Sequence, residues 1–171
     1  MKKKITHIIV MVFLSISITA GACAGGTMID GTRFSNVIET KAARLQLQGV
    51  SLLKYLIFIK AYVGAFYLPE GSDGSQTFDD IARRLELEYR VAISAEDFAK
   101  ATRQKIKESV SRDVFDRISP EIEFLNSLYR DVEPGDRYAL SYVPGAGTRL
   151  IYNNLPLGRI KGLEFANAVF G

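Results

Sequence analysis

Residues 52–68 constrain the fold of this 171-residue chain more than any other segment, because they are apolar apart from Lys54 and Lys60 and rich in β-branched and aromatic side chains. Length alone would allow a helix. Tyr55, Ile57, Phe58, Ile59, Tyr62, Val63, Phe66 and Tyr67 instead favour extended backbone, where ring and branched side chains pack well on a pleated surface. Pro69 and the tract Glu70-Gly71-Ser72-Asp73-Gly74-Ser75 end the segment. One long strand is therefore expected. Regular alternation along it would put Lys54, Leu56, Phe58, Lys60, Tyr62, Gly64 and Phe66 on one side, setting two cations and a phenol among apolar side chains. A carboxylate ligand would give such lysines a partner. Alternatively, Lys54 and Lys60 reach past the sheet edge to water and Tyr62 joins the core. A bulge near Gly64 would reverse the facing of everything after it.

The rest of the chain reads as strands, then helices, then strands. From Thr27 onward short strand-like runs are separated by turn signals at Asp30-Gly31 and Gly49. A short helix is expected over residues 78–84, then a strand over 85–91 with Leu85, Leu87, Tyr89 and Val91 on one face. Ser94, three residues before Asp97, caps a helix running to about Val110, on which Phe98, Ala101, Thr102, Lys105 and Ile106 fall on related faces. A second helix covers 120–129 and opens on Pro120, where a missing N–H costs little. Strands follow at 137–143, 148–152 and 155–160, the last two joined by Asn153-Asn154, a pair that tolerates positive φ. A helix over 163–170 comes last. This order predicts a single α+β domain over residues 25–171, a mostly antiparallel sheet covered on one face by helices.

Residues 1–24 have the three parts of a secretory signal: Lys2, Lys3 and Lys4, an apolar core over residues 8–18, and the small residues Ala20-Gly21-Ala22-Cys23-Ala24. The expected location is the periplasm of a bacterium or the medium, after cleavage behind Ala22 or Ala24. The alternative is a lipoprotein acylated at Cys23, the one route by which membrane contact is expected. Cleavage would remove His7 and, at the later site, Cys23, the only histidine and the only cysteine. Ser-His-Asp hydrolysis, Cys-His catalysis and histidine-ligated zinc are then excluded. The leader also holds three of the 22 basic residues, leaving 19 against 19 acidic ones. A near-neutral domain offers no argument for nucleic acid as a partner.

Two features invite chemistry they do not support. Gly145-Ala146-Gly147-Thr148 lacks the Gly-Lys-Ser/Thr of a phosphate loop and reads as a hairpin turn. Glu108 with Arg112 and Asp113 with Arg117 have helical i, i+4 spacing and read as a solvated helix face.

Residues 53–69, LKYLIFIKAYVGAFYLP, resemble the long central strand of the bacterial chalcone isomerase-like family. Residues 135–148, GDRYALSYVPGAGT, continuing into LGRIKGLEFA at 157–166, resemble its closing hairpin and helix. Between them, residues 85–101 resemble its strand followed by Ser-x-x-Asp-Phe. The resemblance implies an open-faced β-sandwich, a large antiparallel sheet carrying a layer of helices with a ligand cleft between them, and no metal or redox cofactor. It also implies which positions to inspect. The catalytic threonine of the plant enzymes falls at Tyr62, the tyrosine at the start of the main helix at Phe98, a lysine at Ala101, an asparagine near Lys105, and the nearest counterpart of the anchoring arginine is Lys54. With these donors changed, cyclisation of a flavonoid is not expected.

Plastid relatives bind fatty acids through an arginine and a tyrosine, roles open here to Lys54 and Tyr62. The expected partner is a small amphipathic ligand such as a fatty acid or other acyl carboxylate, held by Lys54, Phe58, Lys60, Tyr62, Phe98, Ala101, Thr102 and Lys105 without turnover. The alternative is an isomerase, or intramolecular lyase, acting on a chalcone-like or other enone through Tyr62, Lys54 and Lys105.

Overall fold

In the computed structural model, which describes residues 25–55 and 59–171, strand pairing is decided largely by where the backbone can reverse. Asp30 and Gly31 both take positive φ, 46° and 81°, which closes β1 (Thr27–Ile29) on β2 (Thr32–Phe34) in a two-residue hairpin. β3 (Val37–Glu39) leads into β4 (Arg44–Tyr55), which pairs antiparallel with β5 (Ile59–Pro69). After a 3-10 turn at Gly74–Gln76 come β6 (Arg83–Tyr89), α1 (Ala95–Ser109), α2 (Arg112–Arg117) and α3 (Ser119–Leu128). The chain closes with β7 (Arg137–Val143), β8 (Gly147–Tyr152), β9 (Leu155–Ile160) and α4 (Leu163–Phe170). Strands β3 to β9 form one antiparallel sheet in sequential order, curled into a half-barrel, so the α+β architecture with a large antiparallel sheet is as expected.

The two faces of the sheet are covered differently. Toward the helices, Tyr62, Tyr89, Tyr138 and Leu150 pack with Phe98 and Ile106 of α1, Ile122 and Leu125 of α3, and Phe165 of α4. On the other face, Val63, Ala65 and Tyr67 of β5 pack with Leu45 and with Phe34 of the β1–β2 hairpin. That hairpin closes part of a face expected to be open. Glu88 pins it there by accepting from Thr32 Oγ1 (2.5 Å), Arg90 Nη1 (2.8 Å) and Arg137 Nε (2.7 Å).

Several expectations are corrected. Residues 52–55 and 59–68 belong to two paired strands, not one strand: Tyr55 pairs antiparallel with Ile59. Gly49 lies inside β4 beside a register shift and makes no turn. Residues 78–84 form no helix, since β6 already begins at Arg83. Glu108 and Arg112 lie on separate helices, and the ion pairs formed are Arg112 with Asp116 and Arg117 with Glu164. The capped helix from Ser94, the Asn153-Asn154 turn with φ of 45° and 68°, and the closing helix are where they were expected.

Candidate functional site

The decisive local feature is a bulge at Ala61. Leu53 pairs with Tyr62 and Lys54 with Lys60, which leaves Ala61 as the extra residue on β5. A bulge re-aims the side chains on either side of it. Ala61 and Tyr62 both face the helices, while Lys60 turns to the opposite face and forms an ion pair with Asp30 of the β1–β2 turn. The Lys60 ammonium, bonded to that carboxylate, holds Asp30 below the usual range of aspartate. Lys54 is exposed and contributes more weakly to the same field.

A cavity of about 160 Å³ lies between the sheet and the helices α1 and α4. Its floor is Tyr62 of β5, Leu85, Leu87 and Tyr89 of β6, and Tyr138 and Leu140 of β7. Its roof is Phe98, Ala101, Thr102, Lys105 and Ile106 of α1 with Val169 and Phe170 of α4. The i, i+3, i+4 spacing of the α1 residues is what puts all five on one stripe. Aromatic rings hold one end rigid. Tyr89 meets Phe98 edge-on at 5.1 Å and Tyr62 at 5.8 Å, and Phe98 stacks on Tyr129 at 5.3 Å.

The polar groups are few. Tyr129 Oη and Thr102 Oγ1 bond to each other at 2.9 Å, and Tyr138 Oη is taken up by the backbone of Arg130. The hydroxyls of Tyr62 and Tyr89 have no hydrogen-bond partner among the described residues. Burial pushes Tyr62 up to about 12; Tyr129 also rises to about 12, again by burial, despite its bond to Thr102. Tyr89 is raised well above its ordinary value, first by burial and then by neighbouring phenols. These groups therefore act as neutral donors at any physiological pH. Among the described residues Lys105 is the one charged side chain lining the cavity, half-buried and without an ion pair or hydrogen bond.

Of the residues expected at the site, the fold brings Tyr62, Phe98, Ala101, Thr102 and Lys105 together around one cavity. Lys54 and Lys60 are corrected: neither lines it, because the bulge and the hairpin edge direct them elsewhere. Phe58, like Cys23, lies outside the described residues. Sequence reasoning missed Tyr89, Tyr129 and Phe170 as cavity residues. Tyr89 was legible in the alternation of Leu85, Leu87 and Tyr89, but nothing local marks the other two. Among the described residues no group of three or more His, Cys, Asp or Glu is placed to hold a metal, and no helix is long and apolar enough to cross a membrane.

The profile of the chalcone isomerase-like family matches residues 26–171. Among solved structures, a fatty-acid binding protein of Arabidopsis thaliana superposes with a TM-score of 0.66 at 14% identity, over 81% of this chain and 82% of that one. A comparison with curated protein sequences finds no match.

Proposed function

This chain belongs to the chalcone isomerase-like family, and we propose that it binds a small amphipathic carboxylate, such as a fatty acid, in the cavity under α1. One observation carries the reading: an apolar, aromatic cavity whose only charged lining side chain, Lys105, has no partner among the described residues. An acyl chain gains about 0.8 kcal/mol per buried CH₂ from such walls, and a carboxylate supplies the ammonium with its missing counterion. Tyr62 adds an unbonded hydroxyl. Lys105 thus takes the role that sequence alone offered to Lys54. At about 160 Å³ the cavity is smaller than the roughly 300–1,000 Å³ of common ligand sites, which favours a short or medium acyl chain. The fold-level likeness to a fatty-acid binding protein is consistent with this ligand class.

Calorimetric titration of the purified protein with decanoate and 1-decanol tests the proposal. Decanoate is expected to bind more tightly than the alcohol. Lys105→Met is expected to weaken decanoate about tenfold, the size of one charge-assisted hydrogen bond, and to leave decanol unchanged. A protein that takes up neither compound and carries no lipid through purification would sink the reading.

The unbonded hydroxyls of Tyr62 and Tyr89 support a second reading, an enone isomerase that steadies a developing enolate by hydrogen bonding. It requires turnover that Tyr62→Phe abolishes while the fold is kept. We further propose that the protein acts after export. Expressed with its own leader, it should be recovered from the periplasm lighter by residues 1–22 or 1–24. A cleaved chain starting at Cys23 and carrying added acyl mass would identify a lipoprotein instead, and a cytoplasmic full-length chain would refute export.

A further inference from the structure

β6 points four side chains at the helices. Leu85, Leu87 and Tyr89 line the cavity. The fourth, Arg83, is the largest side chain among the described residues with no exposure to solvent. Phe170 separates it from the cavity, since this residue lines the cavity and also sets its ring centroid 5.0 Å from the Arg83 guanidinium carbon. The ring of Tyr142 lies at 4.9 Å.

The guanidinium is incompletely satisfied. Nη1 donates to the carbonyls of Thr77 (2.5 Å) and Asp79 (3.1 Å), and Nη2 to Asn167 Oδ1 (2.5 Å). All three acceptors are neutral, and Nε–H has no acceptor among the described residues. Among the described residues no carboxylate lies within ion-pair distance. Asp80 is the acid whose field reaches Arg83, and its Oδ1 accepts from the Tyr142 hydroxyl at 2.5 Å. A buried cation with an unused donor and no counterion is costly, and an anion would remove that cost. The group in the way is cheap to move: Phe170 is half-buried, in the last turn of α4, and among the described residues makes one further ring contact, with Phe66 at 6.4 Å. Ends of helices open at lower free energy than packed cores.

We propose that Arg83 is a gated anion anchor of this cavity. When Phe170 swings aside, the carboxylate of an acyl ligand that has met Lys105 on the cavity wall accepts the Arg83 Nε–H. This rests on the reading of the cavity as an acid-binding site and adds to it a residue, a gate and a deeper seat for the head group.

The direct readout is the Arg83 Nε–H resonance in protein labelled with ¹⁵N-arginine, assigned by its loss in Arg83→Lys. Decanoate is expected to move it downfield, and 1-decanol to leave it in place. Phe170→Ala, which leaves Arg83 intact, should raise the preference for decanoate over decanol about tenfold. If decanoate binds while the resonance stays put and Phe170→Ala leaves the preference unchanged, Arg83 only pins the 77–79 loop and α4 to the sheet, and the anchor is refuted. If neither compound binds, the acid-binding reading fails first and takes this one with it.

Discussion

Gly147 shows how much of this fold rests on single residues. It is buried, has φ of +93°, and a Cβ there would stand 2.3 Å from the carbonyl oxygen of Ile160 on the neighbouring strand. Backbone cannot yield as a flexible side chain does, so Gly147→Ala is expected to cost at least about 2 kcal/mol in urea unfolding. Two residues earlier, Gly145 has φ of +71° and nothing within 4 Å of an added Cβ. Asparagine tolerates that conformation, so Gly145→Asn should change stability by no more than about 0.5 kcal/mol in the same measurement. The lysines also separate at this scale. Lys54→Met and Lys60→Met should leave decanoate affinity unchanged, whereas Lys105→Met lowers it. A reversed order in the titrations would mean that the cavity is entered from the β4–β5 edge.

Among the elements, α1 carries most of the cavity roof and its start is well specified. Ser94 Oγ accepts from the Asp97 amide at 3.1 Å and donates to the Asp97 carboxylate at 2.8 Å. Ser94→Ala should cost about 1 kcal/mol and lower Tm by roughly 2–4 °C in a chain of this size. The β1–β2 hairpin depends instead on charge. Burial raises the pKa of Glu88, but bonds from the Thr32 hydroxyl and Arg137, with the fields of Arg137 and Arg90, outweigh it and hold the carboxyl below its ordinary range. A carboxyl with a lowered folded-state pKa adds stability that is present above the ordinary glutamate value of about 4.3 and is lost as pH falls through the folded value. Amide protection factors across β1 and β2 should therefore fall as pH drops below about 4, while those of α1 hold. Glu88→Gln should lower them at neutral pH and weaken the pH response, leaving the part that belongs to Asp30.

At the scale of the whole molecule, ligand and fold are linked. An acid held at a hundred times its Kd adds about 2.7 kcal/mol and should raise Tm by roughly 5–10 °C, an effect that Lys105→Met reduces at the same decanoate concentration. Much of the fold that supports this was legible in the chain. Ser94, Pro120, Asn153-Asn154 and the 163–170 helix were readable because caps, prolines and positive-φ turns act within a few residues. The stripe of Phe98, Ala101, Thr102 and Lys105 was readable from helical periodicity. Of the two placements the sequence left open for Lys54 and Lys60, the one toward the cavity fails: strand alternation holds only while the register does, the extra residue Ala61 inverts it at Lys60, and Lys54 lies on the partner strand, β4. Phe170 and Arg83 carried no local mark at all. One looks like an ordinary helix end and the other like a surface arginine, until β6 and α4 bring them together 5.0 Å apart. The sequence by itself determined the capped helices, the closing strands with their turn, the α+β order and the apolar character of a cleft, because those follow from neighbours along the chain. The tertiary structure alone decided that residues 52–55 and 59–68 pair as two strands, that Lys105 is the cation facing the cavity among the described residues, and that a guanidinium is buried behind it. Those outcomes depend on strand register and on contacts between residues as far apart as Arg83 and Asn167, which no local pattern encodes.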